Sequence, residues 1–452
     1  MRLSTDYPCI REAEQVPDAQ VIPLRLLRKC PGNIMTVPYP ENGGSQRVKR
    51  MKISSQTKRM GINTLYTIGG ALVLNGVLQL LVYPGINRQL GAEQSGAVLF
   101  CMAFVNILGP SIGQALNNSR LVLRRDMDVT NGDYNTLILL FSAVGAVVSV
   151  IFSARSQSGF MAFVLLALLI FLTDFRYYGD VEYRLRLDYR SYFIYYALCG
   201  AGYAVGYLLF LRGVSWYVIF LAGEAAALIF VWIRGGIFRP FLNVSPHFRS
   251  VAAKGSTLVL SYFVTNLTLN IDRIFLKNAL GGEAVTQYYV VSLIGKTLVL
   301  FIAPVNTILI SYMTKENVRL TRKKFLTFAA AGIAAGAVFF LLCQVGTPLF
   351  VRLFYPSLSD SVRGIVTAAN LTQILAMLSA YLFIIVLTFT GAHWQLILQS
   401  GHLVLVIVLI TAMTASGGLS GFSNAVLIAN ALRIAAVLLL GFIFSGKNEQ
   451  SM

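Results

Sequence analysis

The chain has 452 residues, of which 56% are apolar and only 12% charged, against about 25% charge in a soluble domain. With a mean hydropathy of +0.67, these figures exclude a soluble enzyme, a disordered chain and a disulfide-rich secreted module, and indicate a polytopic membrane protein. The net charge of +18 fits nucleic-acid binding only if the cations cluster, so their placement along the chain decides what they mean.

Residues 1–60 differ from the rest. They are polar, contain Pro17, Pro23, Pro31, Pro38 and Pro40, and show no sustained periodicity. They read as a disordered basic cytoplasmic tail. No apolar h-region follows the first charges, so no secretory signal is expected. Met51 stands directly ahead of the first apolar run and reads as an alternative start. That reading places residues 1–50 outside the native protein.

From residue 61 on, apolar runs of about 20 residues recur, long enough to cross a ~30 Å hydrocarbon core as helices. The pattern predicts twelve spans: 61–83, 95–116, 133–153, 159–175, 191–211, 215–233, 256–276, 286–311, 325–345, 363–388, 396–414 and 420–444. The connections are too short for a soluble catalytic domain. Lys and Arg set the orientation. With the N-terminus inside, the cytoplasmic loops and C-terminal end carry seventeen of them, including Arg120, Arg176, Arg184, Arg186 and Arg249. The outer segments carry seven: Arg88, Arg155, Arg212, Arg273, Lys277, Arg352 and Arg363. Both termini are therefore expected in the cytoplasm. The excess charge is mainly an orientation signal, and no nucleic-acid partner is expected.

The spans divide into two sixes, an N-terminal lobe at 61–239 and a C-terminal lobe at 256–446. The basic stretch 240–255, with Pro240 and Pro246, links them. Leu90-Gly91-Ala92-Glu93 follows the first span of one half. Leu280-Gly281-Gly282-Glu283 follows the first span of the other, at an offset of 190 residues. Asn106 and Lys296 share that offset. This reads as a duplicated bundle flanking a central transport path.

Three ionisable residues fall near mid-span: Glu224, Lys296 and Arg433. Each costs roughly 2.5–3.5 kcal/mol at the bilayer centre unless it is paired or faces water. Two readings stand: they line a hydrated cavity, or Glu224 pairs with Lys296 or Arg433 to fix the helices. Polar side chains also recur at helical spacing. Span 7 carries Tyr262, Asn266, Asn270 and Arg273, with Ser261, Thr265, Thr268 and Asp272 beside them. Span 1 carries Thr64, Thr67, Asn75 and Gln79; span 2, Asn106, Gln114 and Asn117; span 8, Tyr289, Ser292 and Lys296. Interhelical hydrogen bonding explains one such stripe. Stripes on the first two spans of both halves point to a polar cavity between spans 1, 2, 7 and 8. Pro110 and Pro304 should kink spans 2 and 8. Gly69, Gly70 and Gly76 suit close packing or bending in span 1.

Five cysteines and three histidines are scattered without metal-ligand spacing. No P-loop, Gly-x-Ser-x-Gly or His-Glu-x-x-His motif occurs. No metal, cofactor or catalytic residue is expected. The stretch 176–186, rich in tyrosine and arginine, suits a cytoplasmic membrane interface, either as a solvated loop held by an aromatic belt or as a contact for anionic lipid head groups.

The run Asn270-Ile271-Asp272-Arg273-Ile274-Phe275-Leu276-Lys277, followed by Leu280-Gly281, Tyr288-Tyr289, Pro304 and Ser311-Tyr312-Met313, resembles the second-half opening of polysaccharide flippases. So does the segment from Pro84 to Gly96 after span 1. The family is the Wzx-type O-antigen and capsule repeat-unit flippases. It lies within the superfamily that includes multidrug and toxic compound extrusion (MATE) transporters. The resemblance covers about residues 55–445. It implies an all-α fold of two six-helix lobes in a V, alternating access, and a bacterial inner-membrane location. It implies an undecaprenyl-pyrophosphate-linked oligosaccharide as substrate, coupling to H+ or Na+, and a polysaccharide polymerase and chain-length regulator as partners. Arg88, Arg273, Lys296 and Arg433 are the cations suited to the pyrophosphate and sugars, with Asn106, Asn266 and Asn270 as polar neighbours. Glu224 and Asp272 are the acids suited to ion coupling. The rivals are a MATE-like exporter of small cations, which favours an acidic cavity, and a membrane glycan polymerase, which needs a large outer loop.

Overall fold

The computed structural model describes residues 45–124, 127–154, 159–297, 320–388, 390 and 393–450, and, among these, the side chains from Gly61 to Ser445 except those of Thr388, His393, Gln395 and Leu396. Pro304, Ser311, Tyr312, Met313 and most of the expected tail lie outside the described residues. By internal contacts the chain divides into Met1–Met60 and Gly61–Met452, and every side-chain contact described below lies in the second unit. The described residues are helical, with no strand among them.

The first half opens with α1, Ser45–Gly76, which begins ahead of the boundary expected at residue 61. A π-helical turn, Val77–Val82, follows Gly76. Helix α2, Tyr83–Gly109, is broken at Gly91. A second π turn, Pro110–Gln114, joins it to α3, Ala115–Leu123. Pro110 supplies no N–H to the Asn106 carbonyl, so the regular ladder fails there and the turn widens. Then come α4 (Asn131–Ser153), α5 (Phe160–Gly179), the short α6 (Val181–Arg186), α7 (Tyr189–Phe210) and α8 (Tyr217–Arg234).

The second half begins with α9, Phe248–Leu280. Gly281 breaks the chain, and α10 runs through 282–297. Helices α11 (Arg322–Phe354), α12 (Val366–Thr388) and α13 (His393–Gln450) follow, α13 being broken at Gly418. Among the described residues, eight stretches are long and apolar enough to cross a membrane. Two of them, Gly61–Leu123 and Ile397–Ser445, each cover two of the expected spans, because the glycine breaks leave the helices nearly continuous. The chain is a multi-pass, all-α membrane protein.

Capping fixes several starts. Thr130 and Asp133 form a reciprocal capping box at α4. Asp188 caps α7, and Thr321 caps α11. Small residues bring helices together. A Cβ on Gly202 or Gly206 of α7 would crowd the backbone of α8. Gly69 and Gly70 lie against Phe193 and Tyr196 of α7, so that pair serves close packing. The wider π turn begins nearly two turns later, after Gly76.

The two repeated motifs meet in space. Gly91 and Gly281 share one backbone conformation, φ 78° with ψ 172° and φ 92° with ψ −179°. This region admits glycine and little else. A Cβ on Gly96 would overlap the Gly282 carbonyl, and one on Gly282 would overlap the Glu93 carbonyl. The Thr286 hydroxyl donates to the Ala92 carbonyl at 2.7 Å. The two motifs that match in the sequence are thus in direct contact.

Candidate functional site

A cavity of about 130 Å³ lies between the halves. The first half supplies Asn75, Gln79, Tyr83, Asn106, Arg176, Tyr177, Tyr203 and Glu224; the second supplies Arg273 and Tyr289. Asn75 at the end of α1 and Gln79 in the π turn both reach it because they lie about one helical turn apart. Gln79 accepts a short hydrogen bond from the Tyr289 hydroxyl, which ties the two halves at the cavity rim.

Two arginines face this space in different states. Arg176 Nε lies 2.5 Å from Glu224 Oε2, and both side chains are buried. The Tyr203 hydroxyl donates to the other Glu224 oxygen at 2.7 Å. The Arg176 guanidinium lies 4.1 Å from the Tyr177 ring centroid, a cation–π contact. Glu224 is therefore paired, but with Arg176 rather than with Lys296 or Arg433. Arg273 differs. Its guanidinium stacks over Tyr289 at 5.0 Å. Its Nε and Nη1 are shielded from solvent and have no hydrogen-bond partner among the described residues.

Lys296 and Asp272 form an ion pair of 2.6 Å between α10 and α9. Neither is among the residues lining the cavity. The wet face of α9 is used as a seam against the first half. Asn118 donates to the Tyr262 hydroxyl at 2.7 Å, and Asn266 donates to Ser111 Oγ at 3.3 Å. Asn270, buried, donates back to the Asn266 carbonyl. Arg88 is exposed near the repeat-motif contact. Arg433 sits apart on α13, donating to Gln399 at 3.1 Å.

The structure thus brings Asn106, Arg273 and Glu224 to one cavity. It places Asn266 on the adjoining seam, Asn270 one turn along the same helix, the Asp272–Lys296 pair between α9 and α10, and Arg88 and Arg433 elsewhere. Sequence reasoning missed Arg176, counted there among loop cations. Its signal was present: Asp174-Phe175-Arg176 ends an apolar run, and an arginine buried so close to span 4 needs an acid. Asp174 is also buried and accepts from Ser142 at 2.6 Å. No group of three His, Cys, Asp or Glu suited to a metal ion occurs among the described residues.

No family model matches the chain, and no curated protein matches its sequence. Its fold does match solved structures. A multidrug resistance MATE family transporter of the MOP superfamily, inward-facing, aligns at TM-score 0.58 and 16% identity, over 87% of this chain and 98% of that one. The lipid II flippase MurJ, in an inward closed conformation, aligns at TM-score 0.62 and 13% identity, over 85% of this chain and 90% of that one. A MATE structure in a bent conformation aligns at 0.54 and 18% identity, over 87% and 97%. At these identities the likeness establishes the fold.

Proposed function

We propose that this protein is a flippase. It moves an undecaprenyl-pyrophosphate-linked oligosaccharide repeat unit from the inner to the outer leaflet of a bacterial cytoplasmic membrane, with both termini inside. The observation that carries this reading is Arg273. In the inter-half cavity the Arg176 and Glu224 charges cancel, which leaves Arg273 with unsatisfied donors. A cavity of net positive charge attracts an anion and disfavours the small cation of the MATE-like rival. Guanidinium donors suit phosphate oxygens through charge-assisted, bidentate hydrogen bonds.

The physics of the task fits. A head group of sugars and pyrophosphate cannot cross hydrocarbon unaided, since each unsatisfied polar group costs several kcal/mol. A polar path between the halves removes that cost while the polyprenyl tail stays in lipid. With an inside-negative potential, outward movement of negative charge gains ~2.3 kcal/mol per charge per 100 mV. Ion coupling works through the pairs: a proton on Glu224 or Asp272 releases Arg176 or Lys296 from its partner.

The test is complementation in the native host. Loss of the gene should remove surface glycan and leave lipid-linked repeat units on the cytoplasmic leaflet. Arg273→Ala should fail to restore display while reaching the membrane at wild-type level. Full display from Arg273→Ala would refute the anion-binding role.

A further inference from the structure

A second cavity, of about 360 Å³, lies at the end of α11 where the chain turns back into α12. Two arginines flank it: Arg352 on the last turn of α11, and Arg363 on the connection. Gln344 and Thr367 form its polar floor, with Gln344 Nε2 donating to Thr367 Oγ1 at 3.1 Å. Pro348 also lines it and supplies no N–H to the Gln344 carbonyl, which lacks its usual helical donor. Apolar atoms of Val366 and its neighbours complete the wall.

The charge is unbalanced. Arg363 Nη2 lies 3.1 Å from Asp360 Oδ1, but these side chains are 79% and 91% exposed. So exposed a pair is worth little and exchanges easily. Arg352 makes no ion pair among the described residues. A cation on the last turn also complements the dipole of α11, which accounts for Arg352 alone but not for a second arginine across a pocket. The sequence adds a separate reason. Only seven lysines and arginines fall in the segments expected to face outward, and two of them converge here, where orientation selects against them.

We propose that this pocket binds the head group of an anionic glycerophospholipid from the outer leaflet. The phosphate lies between Arg352 and Arg363, and head-group hydroxyls reach the Gln344 carbonyl and Thr367. The depth is right, since the end of a membrane-spanning helix lies at head-group level. The inference is independent of what the protein transports.

The test titrates the purified full chain in detergent with phosphatidylglycerol, phosphatidylcholine or inorganic phosphate, and counts bound molecules by native mass spectrometry. Wild type should retain one more phosphatidylglycerol than phosphatidylcholine. R352Q/R363Q should bind that molecule roughly 30-fold more weakly, with Arg212→Gln as the control that leaves it bound. Both arginines are exposed, so the variant should unfold at the wild-type temperature. R352K/R363K, which keeps the charge, should recover part of the binding. Equal retention by wild type and R352Q/R363Q would overturn the proposal. So would equal binding of the two lipids, or displacement by inorganic phosphate at equal concentration.

Discussion

Lys277 Nζ lies 2.7 Å from Glu93 Oε1, and this contact joins the end of α9 to the repeated motif just past the Gly91 break in α2. The second Glu93 oxygen accepts the backbone N–H of Glu283 at 2.8 Å. One carboxylate thus fastens both partners of the duplicated turn. The side chain of Glu93 is 60% exposed and that of Lys277 16%, so the clasp is accessible from the side expected to face outward. In an alternating-access cycle it must break whenever that side opens.

Glu93→Gln should therefore loosen the seam. Ser95 is buried beside it and reports on it when replaced by cysteine. Cys101, Cys199 and Cys343 are buried, so only Cys9 and Cys30 need replacement to silence the background. An exposed pair contributes about 0.2–1 kcal/mol. Labelling of Ser95→Cys by an impermeant maleimide should rise about 1.4- to 5-fold in Glu93→Gln. An unchanged rate would mean that the backbone contacts alone hold the seam.

Gly96→Ala tests those contacts. Its Cβ would overlap the Gly282 carbonyl, which is backbone and cannot swing aside. The halves should separate at this point. The same labelling rate should exceed that of Glu93→Gln, and transport should fall. Wild-type labelling and transport in Gly96→Ala would show that the seam accommodates a methyl group.

The sequence made the two repeated motifs legible because a repeat offset of 190 residues needs no tertiary information. The polar stripe of α9 was legible for the same reason, since helical spacing alone puts Tyr262, Asn266 and Asn270 on one face. Which side chains meet was not. Glu224 found Arg176, 48 residues earlier in the chain, because α5 and α8 are neighbours in the first half; sequence spacing carries no record of that. Gly91 and Gly418 also hid two breaks inside nearly continuous helices, which shifts element boundaries without changing the order of the apolar runs.

The Arg176–Glu224 pair should behave as a buried ion pair. Removing one partner leaves a buried charge and costs about 3–5 kcal/mol. Arg176→Gln and Glu224→Gln should each lower the unfolding temperature in detergent strongly. Because each removes half of the same interaction, the double variant should lose much less than the two losses added together. Strict additivity would mean that the two side chains are not coupled.

Asp188 gives a pH-dependent test outside the spans. Its carboxylate accepts the Ser191 N–H at 3.1 Å, and the Ser191 hydroxyl first, then that N–H with Arg190 and Arg186 nearby, hold its pKa below the usual carboxylate range. The folded pKa is lower than the unfolded one. The cap therefore contributes fully above about pH 4 and fades as the pH falls through the folded value. Asp188→Ala should cost about 1 kcal/mol at neutral pH and nothing in strong acid. A loss independent of pH would assign the effect to packing.

Lys296 and Asp272 separate pairing from binding. Lys296→Met strands a carboxylate and should destabilise the protein; K296M/D272N should restore stability. If Lys296 also contacts substrate, transport stays lost in that double variant. Restored transport would reduce Lys296 to a structural counter-ion.

The most direct measurement is translocation in proteoliposomes. Purified protein is reconstituted with a polyprenyl-pyrophosphate-linked oligosaccharide, and its appearance on the opposite leaflet is followed by an impermeant glycan-cleaving enzyme. Export of a small lipophilic cation is followed in parallel. The account predicts rapid translocation of the anionic lipid by wild type, a loss of at least tenfold in Arg273→Ala (about 1.4 kcal/mol), and no cation export. Cation export with an immobile lipid-linked glycan would contradict it.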